Sequence, residues 1–219
     1  MKKLISVLLA GLLVAAMGGC SGTDGSTAFA GEKLQVGFVQ IMEHTSLDTI
    51  RESFLQQMEQ LGYGEDKVDY DIQNAQGEQT NLGTICQKFV GDGVDMIVAI
   101  ATPTAQTAAA STSEIPILFS AVTDPVEAKL LTDPQHPDGN VTGTSDAIPV
   151  DQVMQLCQEL TPEVQKIGFL YTTSEINAQV TTEQAMEAAE QMGYETQLMT
   201  ISEVSELQQA AQSLAQEVD

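Results

Sequence analysis

Residues 94–125 read VDMIVAIATPTAQTAAASTSEIPILFSAVTDP, and the order of residue types along this stretch decides the fold. Met96 to Ile100 is an apolar run of strand length with no polar face, the pattern of a strand covered on both sides. Thr102-Pro103 then supplies an expected N-cap and a first helical position, where a residue without an N–H is tolerated. Ala105 to Ala110 is small and helix-favouring. Ile115-Pro116 is expected to end that helix, because proline disfavours helical backbone in the residue before it. Pro116 to Phe119 opens a second buried strand, which stops at Ser120 and the turn Val122-Thr123-Asp124-Pro125. Strand, crossover helix and parallel strand within about 25 residues make a βαβ unit. In sheets built from such units small ligands bind beyond the carboxyl ends of the strands, here Ala101 to Thr104 and Ser120 to Asp124.

The chain on either side repeats the pattern. Lys33 to Ile41 (KLQVGFVQI) reads as a first strand, with Met42 to Ser46 as the loop at its carboxyl end. Leu47, Ile50, Phe54, Leu55, Met58 and Leu61 recur at helical spacing, and Gly62 stands where a C-terminal cap belongs. Lys67 to Gln73 is a second strand, and Thr80 to Val90 a second helix closed by Gly91-Asp92-Gly93. The alternation predicts an α/β fold with a parallel, doubly wound sheet. After Asp124 comes a turn-rich excursion, then a short strand over 140–145 with Asp146 at its end, and a helix from Pro149 to Leu160. A second βα pattern follows: a strand over Lys166 to Tyr171, a polar loop over Thr172 to Asn177, a helix over Thr182 to Met192, a strand over Tyr194 to Ile201 and an amphipathic helix through Leu207 and Leu214. Two strands with two helices leave much apolar face uncovered. The expected organisation is one complete α/β lobe over 34–147 and a partial second lobe over 148–219, in a C-terminally truncated chain.

The amino terminus bears on location. Met1-Lys2-Lys3, an apolar run from Leu4 to Ala16 too short to span a bilayer, and Met17-Gly18-Gly19-Cys20 predict a signal peptide over 1–19. Small residues before a cysteine resemble a bacterial lipobox, which makes Cys20 the expected lipidation site; the alternative is an ordinary secretory signal with a chance cysteine. Residues 20–33 have the composition of a flexible tether. The expected mature chain is exported and held at the membrane by its lipid anchor. Without Lys2 and Lys3, six basic residues stand against 31 acidic ones, a formal charge of −25. Such a polyanion does not bind nucleic acid through bulk charge. Cys86 and Cys157 each lie among apolar residues at helical spacing and read as buried thiols, with a disulfide between them as the alternative. No cluster of metal-ligating residues, phosphate-cradling glycine loop or nucleophile elbow is legible, so neither a metal, a cofactor nor catalysis is expected.

The stretches VGFVQIMEH (36–44), DYDIQNAQGEQTN (69–81), VDMIVAIATPTAQ (94–106), IPILFSAVTDPV (115–126), GNVTGTSD (139–146) and KIGFLYTTSEINA (166–178) together resemble the substrate-binding lipoproteins of ABC transporters with the type I periplasmic-binding fold. The resemblance is to the branch that includes tryptophan- and tyrosine-binding lipoproteins. It implies two lobes that shut on a small solute, an amino acid with an aromatic one as the narrower expectation, and a permease with a cytoplasmic ATPase as partner. A sensory lipoprotein, or a remnant that binds nothing, stands as the alternative. The resemblance places ligand-facing positions at Glu43 and His44; at Thr102, Pro103 and Thr104; at Ala121, Val122 and Asp124; at Ser145 and Asp146 in the crossover; and at Tyr171, Glu175 and Asn177 in the second lobe. Residue chemistry agrees with it. Free N–H groups near Thr104 and Ala105 with the Thr102 and Thr104 hydroxyls suit a carboxylate. Asp146 or Asp124 suits an ammonium, and Tyr171 a flat or apolar side chain. Each position also has a plain structural reading: Thr102-Pro103 as a helix cap, Asp124 as a turn residue, His44 as a solvated loop residue, Tyr171 as packing.

Overall fold

A computed structural model describes residues 33–219 except Asp138. The expected signal peptide, the lipidation site at Cys20 and the tether up to residue 32 lie outside the described residues. The apolar run Met96–Ile100 forms strand β3, the middle of a five-stranded parallel sheet. Its other strands are β1 (Leu34–Gln40), β2 (Val68–Asn74), β4 (Ile117–Ser120) and β5 (Val141–Gly143), in the order β2-β1-β3-β4-β5. Helix α1 (Thr45–Gln60) lies on one face, where Leu47, Ile50 and Phe54 pack on Val36, Phe38, Val98 and Ile100. Helices α2 (Gln79–Asp92) and α3 (Thr102–Ser111) lie on the other, where Leu82, Cys86, Phe89, Ala105 and Ala108 meet Val39, Ile97, Ala99, Ile117 and Phe119. The alternation of side chains along each strand divides these two sets, so the sheet is wound on both faces as expected.

Local chemistry explains most boundaries. Helix α1 ends at Gln60, and Gly62 takes the left-handed conformation at φ 83° that only glycine adopts at no cost. Gly93 does the same after α2. Helix α3 stops at Ser111 rather than running on to Ile115-Pro116. The extended Thr112 ends it by accepting the Glu114 and Ile115 N–H groups on its hydroxyl, at 3.1 and 3.2 Å. This local turn competes with the helix before proline has any effect.

The remainder builds a second, two-stranded parallel sheet of β6 (Lys166–Thr172) and β7 (Glu195–Ile201), with helices α4 (Val150–Leu160), α5 (Ile176–Gln191) and α6 (Leu207–Leu214) around it. Two expectations fail here. Helix α5 begins at Ile176, six residues before Thr182, so Asn177 is helical rather than in a loop. Its opening turns (INAQVTT) carry only one apolar pair at helical spacing, Ile176 and Val180, and Ile176 packs onto the first sheet's core. Cys157 is exposed, although Cys86 is buried as expected; both are free thiols. Helix α4 buries Val150 and Met154 against α5, while Val153, Leu156, Cys157 and Leu160 carry no cover among the described residues. Burial pushes the Cys86 thiol up to about 11, so it stays protonated and unreactive at neutral pH.

Candidate ligand-binding site

Register brings the strand tips together. Gln40 pairs with Ile100, Ile100 with Ser120, and Phe119 with Gly143, so β1, β3, β4 and β5 end at one edge. The segments that follow are tied to each other. The Ala101 N–H donates to the Ser120 carbonyl at 2.9 Å, and the Ser145 hydroxyl to the Thr123 carbonyl at 2.8 Å.

The turn from β3 into α3 carries the least ordinary backbone of the edge. Ala101, and not Thr102, occupies the N-cap, at φ 78° and ψ 158°, and offers no side chain to cap the helix. Thr102 and Pro103 are therefore its first two helical residues. The chain leaves the sheet at Ala101, and the first turn is already helical by Thr102. Such a conformation costs a residue with a Cβ about 1–3 kcal/mol. Ala101→Gly is expected to raise stability by about 1 kcal/mol after glycine's larger unfolded-state entropy is counted. A thermal melt checks this, and a fall in Tm would refute it.

Thr102 and Thr104 are 2% and 0% exposed, and neither hydroxyl has a hydrogen-bond partner. The contrast within the helix is informative. Thr107 and Ser111 satisfy their hydroxyls on carbonyls one turn back, at 2.8 and 2.7 Å. Thr102 and Thr104 stand in the first turn, where no carbonyl lies one turn back within the helix and the leading N–H groups also lack helical acceptors. Among the described residues a third buried atom shares this condition, Oδ1 of Asn177. Asn177 lies in the first turn of α5, whose N-cap Glu175 makes no side-chain capping bond.

The other expected positions divide. Glu43 and His44 are exposed beyond β1, and His44 caps α1, its Nδ1 accepting the Ser46 N–H at 3.3 Å. Ala121 is half-buried at φ 56°. The Val122 side chain is turned into the core, leaving only its main chain for a ligand. Asp124 accepts the Val126 and Glu127 N–H groups on Oδ1, at 2.9 and 3.0 Å, the turn role that the sequence left open. Ser145 and Asp146 are exposed in the crossover, and Tyr171 is half-buried near the end of β6. A cavity of about 50 Å³ lies between the crossover and α5, lined by Thr123, Asp124, Ile148, Val180, Thr181 and Gln184. A larger hollow of about 870 Å³ is elsewhere, between α1 and the start of β2, and neither hollow is lined by any of the three residues with unpartnered buried atoms. Thr181 and Gln184 line the smaller cavity without being among the expected positions, because they belong to a helix face and carry no motif.

The profile of the ABC transporter substrate binding protein family matches residues 35–219. This chain belongs to that family. A substrate-binding protein of this kind has the type I periplasmic-binding architecture, and the parallel five-stranded sheet agrees with it. The tyrosine-binding protein of Clostridioides difficile is 40% identical over 227 residues, covering 100% of this chain and 66% of the relative. A Streptococcus pneumoniae ABC domain in complex with L-Trp superposes with a TM-score of 0.83 at 34% identity, over 86% of this chain and 64% of the other. The ligand-free, open structure of a substrate binding protein with adhesive properties from Clostridium difficile gives 0.61 at 36% identity, over 84% and 63%. The chain thus spans about two thirds of the length of these substrate-binding relatives. No helix among the described residues is long and apolar enough to cross a membrane.

Proposed function

We propose that this chain is the solute-binding component of an ABC importer and that its solute is an L-amino acid with an aromatic side chain. The observation that carries the reading is the set of three unpartnered buried atoms, Oγ1 of Thr102, Oγ1 of Thr104 and Oδ1 of Asn177, all in the first turns of helices that begin at strand tips. A buried polar atom without a partner costs roughly 1–3 kcal/mol, and a ligand that supplies the partner removes that cost. Thr102 and Thr104 donate to the carboxylate at the positive end of α3, and Asn177 accepts from the ammonium group. Tyr171 packs on the ring. The exposed Asp146 and the turn-bound Asp124 take no first place in this arrangement.

The two lobes, 34–147 and 148–219, close because the solute touches both, so it favours the closed population by its differential affinity. The better superposition on the tryptophan-bound neighbour than on the open one, at nearly equal identity, supports a closed arrangement here. In this reading the closed form docks on a permease powered by an ATPase, and a lipid on Cys20 holds the chain outside the cytoplasmic membrane.

Calorimetry of the chain with L-tyrosine, L-tryptophan and tyramine tests the reading. Saturable binding of the amino acids is expected, and a loss of at least tenfold for tyramine, which lacks the carboxylate that α3 reads. At 100 times Kd the amino acid adds about 2.7 kcal/mol of stability, visible as a rise in Tm. Equal affinity for tyramine, or no signal from any of the three, would refute the proposal.

A further inference from the structure

Gln40 ends β1 and is 0% exposed, the one glutamine of the first sheet's core. All of its side-chain bonds run forward along the chain. Its Nε2 donates to the Met42 carbonyl at 2.5 Å and to Asp48 Oδ1 at 2.9 Å, while its Oε1 accepts from Arg51 Nη1 at 3.0 Å. Arg51 Nη1 also donates to Asp48 Oδ1 at 3.1 Å. Arg51 is the single arginine in a chain of net charge −23. These three residues converge beneath the segment Ile41 to His44, which begins at the edge where the strand tips meet.

Main-chain bonds hold that segment at its start, with the Ala75 and Gly77 N–H groups donating to the Gln40 and Ile41 carbonyls at 2.9 and 2.8 Å. From Met42 to the helix cap, the Gln40 amide is the side chain that anchors it. A leucine or methionine at position 40 fills a buried strand end without desolvating an amide and part of a guanidinium. A buried polar network is weak support for stability and strong support for one geometry.

We propose that Gln40, Asp48 and Arg51 are positioning residues that hold the Ile41–His44 loop in its binding pose, so that solute affinity depends on them although none of them is placed against the solute. The inference rests on the binding reading above. The test uses the full chain with Gln40→Met and, because that variant risks misfolding, Arg51→Met with Arg51→Lys as rescue. Amide hydrogen exchange is read at Gly77 and Asp48, whose N–H groups donate to the Ile41 and His44 carbonyls, and over Ile97–Ile100, together with calorimetry against L-tyrosine and L-tryptophan. Exchange at Gly77 and Asp48 is expected to quicken tenfold or more while Ile97–Ile100 stays protected, and affinity to fall about tenfold, with Arg51→Lys recovering part of both. Unchanged exchange at Gly77 and Asp48, equal quickening at Ile97–Ile100, or a loosened loop with affinity intact would overturn the assignment. A wild-type chain that binds neither amino acid would instead sink the binding reading and with it the link to affinity, and the exchange data would then decide the loop alone.

Discussion

Replacing Thr104 by valine is expected to weaken amino-acid binding by roughly 10- to 100-fold while leaving the fold as stable as before or slightly more so. The two signs follow from one observation, a fully buried hydroxyl with no partner. In the free protein that hydroxyl stands at a cost of about 1–3 kcal/mol, and a methyl group of nearly the same shape lacks the cost. In the bound protein a hydrogen bond to a charged group contributes about 1.5–3 kcal/mol, which converts to the stated loss of affinity. A threonine with a structural duty behaves in the opposite way: its valine variant melts earlier and binds as before. A thermal melt beside a calorimetric titration with L-tyrosine separates the two outcomes.

Phe89→Ala is expected to cost about 3–5 kcal/mol of folding free energy, a large share of the 5–15 typical of a domain. Phe89 is 0% exposed and joins α2 to the sheet directly over Gly37. A Cβ added at Gly37 would lie 2.7 Å from the Phe89 ring, closer than any packed carbon. Gly37→Ala by itself is therefore expected to cost about 1–3 kcal/mol through overpacking. In the Phe89→Ala background that cost should vanish, because the new methyl enters the hole that the ring leaves. Urea denaturation of the two single variants and the double variant measures the coupling. Additive losses would show that α2 does not rest on β1 through this contact.

The parts legible in advance are those governed by local chemistry. Met96 to Ile100 is apolar on both faces and so declares a doubly covered strand, and the repeat of that pattern upstream gives the parallel sheet. Once the strands are placed, the tips follow, and Thr102 and Thr104 with them. The failures occur where a contact that apolar spacing does not record, or the lack of one, decides the outcome. Helix α5 starts early because Ile176 finds the first core, and Cys157 is exposed although its neighbours have helical spacing. Apolar spacing marks a face that seeks cover; it does not say that cover is present. Asp146 stands exposed in the crossover, where its position in the chain placed it.

By itself the sequence determined the α/β class, the order of elements and the edge where the strand tips gather, because strand and helix periods and turn residues act over a few positions. Only the tertiary structure decided which polar atoms at that edge lack partners. Thr102, Thr104, Thr107 and Ser111 are alike as residue types, yet two are satisfied by the helix and two are not. That difference depends on where the chain turns at Ala101 and on what packs above it, and no local pattern carries such information.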